Sequence, residues 1–187
     1  MAEAEVDYLD KTSRAIDVKF RIDKTLEEKF VKQNKLPEHS KVFAVIWTTT
    51  PWTIPGNQAV CVNKDIEYSL VEVTKNEIYI IASELVKTCF DRWSSEDFEI
   101  IKKMKGNDLD GLHFIHPLYN RTSPLLFSEH VTTDTGTGCV HSAPAHGPED
   151  FETCSENGIE LKNPISSNGC FKAVSYTHLT LPTRCRG

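Results

Sequence analysis

The sequence predicts an α+β, β-rich fold in which a closed or nearly closed β-barrel is decorated with short helices. Many short segments alternate apolar and polar side chains with a period of two, which is typical of strands buried on one face. Only three segments space their apolar residues as a helix does. Many short strands of this kind favour a barrel, because closure removes exposed strand edges.

The first part of the chain predicts strands on both sides of a short helix. Residues 15–22 alternate as a half-buried strand, and residues 23–34 have helical spacing until Pro37 stops the helix. Residues 42–49 form a nearly continuous apolar run, which is typical of a central strand. Residues 58–62 are expected to form the next strand.

The middle of the chain predicts a hairpin followed by a helix. Residues 67–73 and 77–82 alternate and are separated by the polar residues 74–76, which indicates a turn. Residues 83–93 predict a helix with Ser83 as its N-cap. Further strands are expected at residues 98–104, 113–117, 123–127 and 130–133. A last helix at residues 150–156 and two short segments at 163–165 and 169–174 complete the domain.

The composition argues against several classes of protein. The hydrophobic share of 39% and the charged share of 26% are ordinary for a globular protein. The sequence contains no run of 18 apolar residues, so no membrane-spanning helix is expected. The acidic N-terminus lacks the apolar core of a signal or transit peptide. A net charge of −6 argues against a general nucleic-acid binder, although it allows an enzyme that holds only the tip of a nucleic acid.

The cysteines and most histidines are expected to be structural. None of the six cysteines forms a C-x-x-C pair, so no metal site is expected. Cys61 and Cys139 fall at predicted strands and are expected to be reduced core thiols, which favours the cytoplasm or the mitochondrial matrix. Four histidines are expected on the surface or at strand edges: His39, His113, His116 and His130.

Residues 136–150 concentrate the chemistry of the chain. This stretch contains two glycines, two histidines, two prolines and an acidic pair, and it predicts a strand end, a loop and a helix with Pro148 in its first turn. His141, His146 and Asp150 can converge here, since loops held by a rigid scaffold often carry function. The alternative is an ordinary strand–loop–helix connection with solvated polar groups.

A second stretch, residues 47–57, reads Trp-Thr-Thr-Thr-Pro-Trp-Thr-Ile-Pro-Gly-Asn after an apolar strand. Three threonines at a strand end supply hydroxyl groups and backbone N–H groups. The alternative is a β-branched strand end followed by a proline-rich turn.

The two stretches together, about ninety residues apart, resemble the editing domain of isoleucyl-tRNA synthetase. The valyl and leucyl families have arginine and an acidic residue in the threonine motif, where this chain reads Thr-Thr-Thr-Pro-Trp-Thr. The same families have lysine or methionine where this chain has His141. The resemblance covers roughly residues 5–174 and includes neither His-Ile-Gly-His nor Lys-Met-Ser-Lys-Ser, the ATP-binding signatures of a synthetase.

The resemblance implies a division of the chain and a set of partners. Residues 1–14 would connect to a catalytic domain, residues 15–174 would form the editing domain, and residues 175–187 match nothing in the family and are interpreted as a foreign tail. The chain would then be a fragment of a monomeric synthetase without membrane contact. Its partners would be the rest of that synthetase and a tRNA 3′ end carrying valine. Editing would need no cofactor, and ATP and magnesium would serve only the catalytic domain.

The resemblance also implies roles for individual residues in the hydrolysis of valyl-tRNA made in error. Asp150 would bind the substrate ammonium group, and His141 would be a steric gate against isoleucine. Further catalytic or substrate-binding roles are implied for Thr48, Thr49, Thr50, Asn57, His146, Trp52 and Gly138. Trp52 is expected in the core or in the pocket wall, and His146 is expected to orient water or neighbouring groups.

Two alternatives to the enzyme remain at this point. The chain could be a non-catalytic module that binds the tRNA 3′ end, or an inert fragment. No G-x-S-x-G element and no supported Cys–His pair is present, so the enzyme is expected to use a positioned water rather than a covalent nucleophile.

Overall fold

The computed structural model describes residues 14–172. The predicted connecting segment, apart from residue 14, and the predicted tail at residues 175–187 lie outside the described residues. Within the described part, no helix is long and apolar enough to cross a membrane.

The described chain contains nine strands and three α-helices, with short 3₁₀ segments between them. The strands are β1 Ile16–Ile22, β2 Lys41–Thr48, β3 Ala59–Val62, β4 Glu67–Thr74, β5 Glu77–Ala82, β6 Glu99–Lys105, β7 His113–Ile115, β8 Thr122–Phe127 and β9 Val140–Ser142. The helices are α1 Lys24–Asn34, α2 Val86–Arg92 and α3 Pro148–Glu156. The β-rich α+β class predicted from the sequence is therefore confirmed.

All nine strands lie in one sheet with the order β6-β4-β5-β2-β1-β7-β8-β3-β9. The pairs β2–β5 and β3–β8 are parallel, and the other pairs are antiparallel. The sheet does not close, so the predicted closed or nearly closed barrel is not confirmed. A barrel requires the two outer strands to pair with each other, whereas β6 pairs only with β4, and β9 pairs only with β3 among the described strands.

The main core is formed by side chains of the strands and of α1 and α2, and many of them are aromatic or β-branched. Its largest fully buried members include Phe20, Tyr68, Phe90 and Phe114. A smaller cluster packs beneath α3 and contains Ala59, Cys61, Leu126, Val131 and Cys154. Cys61 and Cys139 are buried free thiols, as the sequence predicted.

Several local predictions are wrong. Ser83 does not cap a helix: it begins a 3₁₀ segment, and its hydroxyl lies 2.8 Å from that of Ser69. Residues 130–133 form a loop instead of a strand, although Val131 is buried. His116 is 2% exposed rather than at the surface. Trp52 is 55% exposed and therefore lies outside the core, and its place in a pocket wall stays a prediction.

Candidate functional site

The threonine motif forms a tight turn at the end of β2. Thr48 is buried, and its hydroxyl accepts a hydrogen bond from the Thr50 backbone N–H at 3.1 Å. Pro51–Gly56 then forms a 3₁₀ segment, which two prolines make rigid. The backbone N–H and the hydroxyl of Thr53 both donate to the Thr50 carbonyl, at 3.0 and 2.8 Å. The turn therefore fixes two buried threonine hydroxyls, while Thr49 and Thr50 are exposed.

His141 reaches this turn from β9. The strand pairs with β3, with His141 opposite Val60, and the His141 Nε2 lies 3.0 Å from the Thr53 hydroxyl oxygen. Because the single hydroxyl proton of Thr53 already points at the Thr50 carbonyl, Nε2 is the donor of this contact. Neutral His141 therefore carries its proton on Nε2 and keeps an acceptor lone pair on Nδ1.

Burial keeps His141 in that neutral form. The residue is 7% exposed. Burial lowers the pKa of His141 to about 4, the Asp150 carboxylate acts in the opposite direction, and His146 lowers the pKa further. The ring is therefore an uncharged surface beside the threonine turn.

Asp150 enters the site from the first turn of α3. The helix begins at Pro148 after an extended Gly147, and Asp150 is its third residue. Carboxylates are favoured at this position, because the N-terminus of a helix carries partial positive charge. The Asp150 Oδ2 accepts the Ala143 backbone N–H at 2.9 Å, which fixes the carboxylate to the loop after β9. Within residues 14–172, its other oxygen takes part in no hydrogen bond or ion pair.

His146 closes the loop between β9 and α3. Its backbone N–H donates to the Ala143 carbonyl at 2.8 Å. Its ring packs on Gly56, so that a Cβ at Gly56 would lie 3.0 Å from the His146 Nε2. A side chain at position 56 would therefore push the ring away, and glycine permits this close approach.

Three buried polar side-chain atoms have no hydrogen-bond partner in the described structure: Gln58 Nε2, His141 Nδ1 and His146 Nε2. Gln58 lies just after the threonine turn, His141 lies in β9, and His146 lies in the loop that follows β9. Gln58 precedes β3 by one residue, and the register places it on the same sheet face as His141. Unpaired buried polar atoms are rare in proteins, and such atoms usually reflect a bound water, an ion, strain or a catalytic role.

The family match agrees with this geometry. The family model described as leucyl-tRNA synthetase, editing domain, matches residues 16–181. The chain belongs to this editing-domain family. The match continues past residue 174, the predicted end of the domain, into the predicted tail.

Curated relatives of this editing domain confirm the isoleucyl branch. The chain is 46% identical over 175 residues to the isoleucine–tRNA ligase of Colwellia psychrerythraea, which covers 91% of the chain and 18% of the relative. The isoleucine–tRNA ligase of Caldanaerobacter subterraneus is 45% identical over 181 residues, with 96% and 19% covered. The chain therefore spans about a fifth of the length of these relatives.

Solved structures confirm the editing-domain fold. A structure described as GlLeuRS-CP1 superposes with a TM-score of 0.67 at 20% identity, covering 87% of this chain and 76% of that one. The editing domain of the P. falciparum cytosolic leucyl-tRNA synthetase superposes with a TM-score of 0.61 at 13% identity, covering 77% and 66%.

Three other predicted site residues occupy different surroundings in this editing domain. Asn57 is fully buried, donates to the Ala59 carbonyl at 2.7 Å and accepts from the Ser123 hydroxyl at 2.6 Å. Trp52 projects from the threonine turn into solvent. Gly138 adopts a φ of +77° against Ala82, and its carbonyl accepts the Tyr68 hydroxyl at 2.6 Å.

Two residues of the site were not predicted to be functional. Thr53 holds His141, and Gln58 contributes an unpaired buried amide. The signal for Gln58 is its position: it is an amide directly before four buried strand residues. Among residues 14–172, no group of three or more His, Cys, Asp or Glu side chains is arranged to hold a metal ion.

Proposed function

We propose that this domain hydrolyses the ester bond of valine attached in error to isoleucine tRNA. The observation that carries the proposal is the Asp150 carboxylate, fixed through one oxygen by Ala143 and placed at the start of α3 near neutral His141. An aminoacyl ester carries an ammonium group beside its carbonyl carbon. A fixed carboxylate holds such a group through a charge-assisted hydrogen bond and thereby orients the ester.

The need for a second site follows from the small difference between the two amino acids. For isoleucyl-tRNA synthetase itself, the discrimination of isoleucine from valine during synthesis is a known case of about 150-fold, because one methylene changes binding by only about 1–3 kcal/mol. A hydrolytic site that admits valine and excludes isoleucine removes the remaining errors.

The reaction requires only a positioned water. The water oxygen attacks the ester carbonyl carbon, the bond from that carbon to the ribose oxygen breaks, and the proton passes to the ribose. Valine and a tRNA with a free terminal hydroxyl are the products. Neighbouring thiols are poor nucleophiles, since burial raises the pKa of Cys61 to about 12 and also raises that of Cys154.

The threonines and histidines have supporting roles in this proposal. Thr48, Thr49 and Thr50 bind the terminal ribose or the amino-acid side chain, and His146 orients the water. The wider proposal is that the domain acts within a monomeric isoleucine–tRNA ligase, in the cytoplasm or mitochondrial matrix. No cofactor takes part in editing, and ATP and magnesium serve aminoacylation elsewhere in that protein.

The test compares two neighbouring acidic residues in α3. Asp150→Asn removes the charge that binds the ammonium group and keeps the shape of the side chain. Glu149→Gln makes the same chemical change at the preceding, exposed position. Because removing one partner of a buried charge pair costs about 2–5 kcal/mol, Asp150→Asn should slow deacylation of valyl-tRNA by about thirty-fold to several thousand-fold, whereas Glu149→Gln should stay near the wild-type rate.

The measurement is release of labelled valine from valyl-tRNA by the 187-residue chain, with circular dichroism to check folding. Equal rates for wild type and Asp150→Asn would contradict the role of Asp150. A chain that binds the charged tRNA without turnover would be a 3′-end binding module. A chain that neither binds nor hydrolyses would be inert.

A further inference from the structure

The underside of the threonine turn is held by side chains from the β7–β8 hairpin. Three residues of this hairpin contact the consecutive stretch Ile54–Asn57 at the end of the turn. They are His116, Arg121 and Ser123, which we call the brace. The brace contacts two backbone carbonyls and one buried side-chain amide.

The protonation state of His116 follows from its two contacts. The Leu118 backbone N–H donates to the His116 Nδ1 at 3.1 Å, so that nitrogen is a bare acceptor. The proton of the neutral ring therefore lies on Nε2 and is donated to the Ile54 carbonyl at 3.0 Å. Burial lowers the pKa of His116 to about 4, which keeps this neutral form at physiological pH.

Arg121 makes the second contact of the brace. Its Nη2 donates to the Pro55 carbonyl at 3.0 Å, and its guanidinium group lies 5.5 Å from the centre of the Tyr119 ring. The centres of the His116 and Tyr119 rings lie 4.9 Å apart. The backbone N–H of His116 donates to the Arg121 backbone carbonyl at 2.9 Å and so closes the hairpin loop. The loop therefore orients both side chains as one unit.

The braced carbonyls lie next to the groups that form the site. Ile54 follows Thr53, whose hydroxyl accepts from His141. Gly56 follows Pro55 and supports the ring of His146. A shift of the 54–56 backbone would thus move both histidines relative to Asp150. Displacements of about 1 Å in a catalytic arrangement cost on the order of 10²-fold in rate.

We propose that His116 and Arg121 are positioning residues for hydrolysis: they hold the Ile54 and Pro55 carbonyls so that Thr53, His141 and His146 keep their places around the ester. The inference rests on the proposed function of the site. It predicts that loss of the brace lowers kcat for deacylation, while the exposed groups that bind tRNA, and therefore KM, change little.

Two variants each remove one hydrogen bond of the brace and keep the approximate shape of the side chain. His116→Phe keeps a ring against Phe20 and Tyr119 but has no donor for the Ile54 carbonyl. Arg121→Met keeps an apolar stem but has no donor for the Pro55 carbonyl. His116→Gln restores an N–H group near the position of Nε2 and should rescue activity. His113→Gln makes the same change at an exposed histidine of the same hairpin and is the matched control.

The experiment measures two quantities on the 187-residue chain, well below the melting temperature of each variant. The first is the hydrogen-exchange rate of the Thr53 and Asn57 amides, which donate within the turn to Thr50 and Ile54. The second is kcat and KM for valyl-tRNA. In His116→Phe and Arg121→Met, exchange of these amides should rise at least ten-fold and kcat should fall at least ten-fold, with KM within about three-fold.

The outcomes separate the inference from the proposed function. Faster exchange with unchanged kcat, or unchanged exchange, overturns the brace as a positioning device. A fall in kcat that His116→Gln does not reverse also overturns the role of His116. If the wild-type chain shows no hydrolysis, the proposed function has failed, and the exchange rates alone still decide whether the brace holds the turn. If His116→Phe does not fold, Arg121→Met, at a half-buried position, gives the decision.

Discussion

Replacing His141 with alanine should convert a selective site into one that accepts both amino acids. The imidazole is 7% exposed, and its contact with Thr53 would have to break before the ring could move aside for a larger side chain. Isoleucine exceeds valine by one methylene, and burying a methylene contributes about 0.8 kcal/mol, or roughly four-fold in rate. Attraction therefore favours isoleucine slightly, so rejection of isoleucine must come from steric repulsion.

The expected rate for isoleucyl-tRNA follows from the one-methylene difference between isoleucine and valine. Removing the ring vacates more volume than one methylene requires. Isoleucyl-tRNA hydrolysis by His141→Ala should rise from background to within about four-fold of the rate for valyl-tRNA. Valyl-tRNA hydrolysis should survive at least in part, since the Thr53 hydroxyl still donates to the Thr50 carbonyl and the turn keeps that contact.

The assay is deacylation of both charged tRNAs by wild type, His141→Ala and His113→Ala, with circular dichroism as the folding check. His113→Ala removes an exposed imidazole and should leave the preference for valine unchanged. If His141→Ala abolishes valine hydrolysis and still ignores isoleucine, the ring is catalytic or structural. The wall formed by Thr48, Thr49 and Thr50 then becomes the next candidate for the gate.

Two further predictions concern stability. The pKa values of His116 and His141 in the folded chain lie near 4, below the ordinary 6.5, so the unfolded chain binds protons first on acidification. The free energy of unfolding, measured with urea, should therefore fall by on the order of 2 kcal/mol per histidine between pH 7.5 and 5. His116→Phe should show a smaller fall, because it has one such histidine fewer. Gly138→Ala should cost about 2–5 kcal/mol, since its Cβ would overlap that of Ala82 and φ is +77°, whereas Gly111→Ala, at φ +74° in open space, should cost only about 1–2 kcal/mol by thermal unfolding.

The individual strands were predictable, but the closure of the sheet was not. Alternation in residues 15–22 correctly places Phe20 and Ile22 in the core, because each strand has one buried face. Alternation does not say which strands are neighbours. The parallel pairs β2–β5 and β3–β8 join segments distant in sequence, and the resulting order leaves β6 and β9 at the two edges.

Some residues of the site could likewise be predicted from the sequence, and others could not. The prediction that His141, His146 and Asp150 share one loop region could be made from the sequence, because they lie within ten residues of each other. The sequence predicts His116 at the surface or at a strand edge, whereas the structure buries it against backbone groups: the Ile54 carbonyl, 62 residues away, and the Leu118 N–H. Backbone acceptors have no signature in sequence, so a buried histidine that depends on them resembles an exposed one.

The neutrality of the buried histidines also matters for the proposed substrate. A protonated His141 would repel the ammonium group that the proposed function assigns to Asp150, because like charges in a buried site interact more strongly than in water. Burial removes this conflict by keeping the ring uncharged, even though the nearby carboxylate favours protonation. The same burial leaves the Nδ1 lone pair as an acceptor. The site thus combines one fixed carboxylate with one buried, uncharged imidazole, which is the arrangement that the proposed binding of an ammonium group requires.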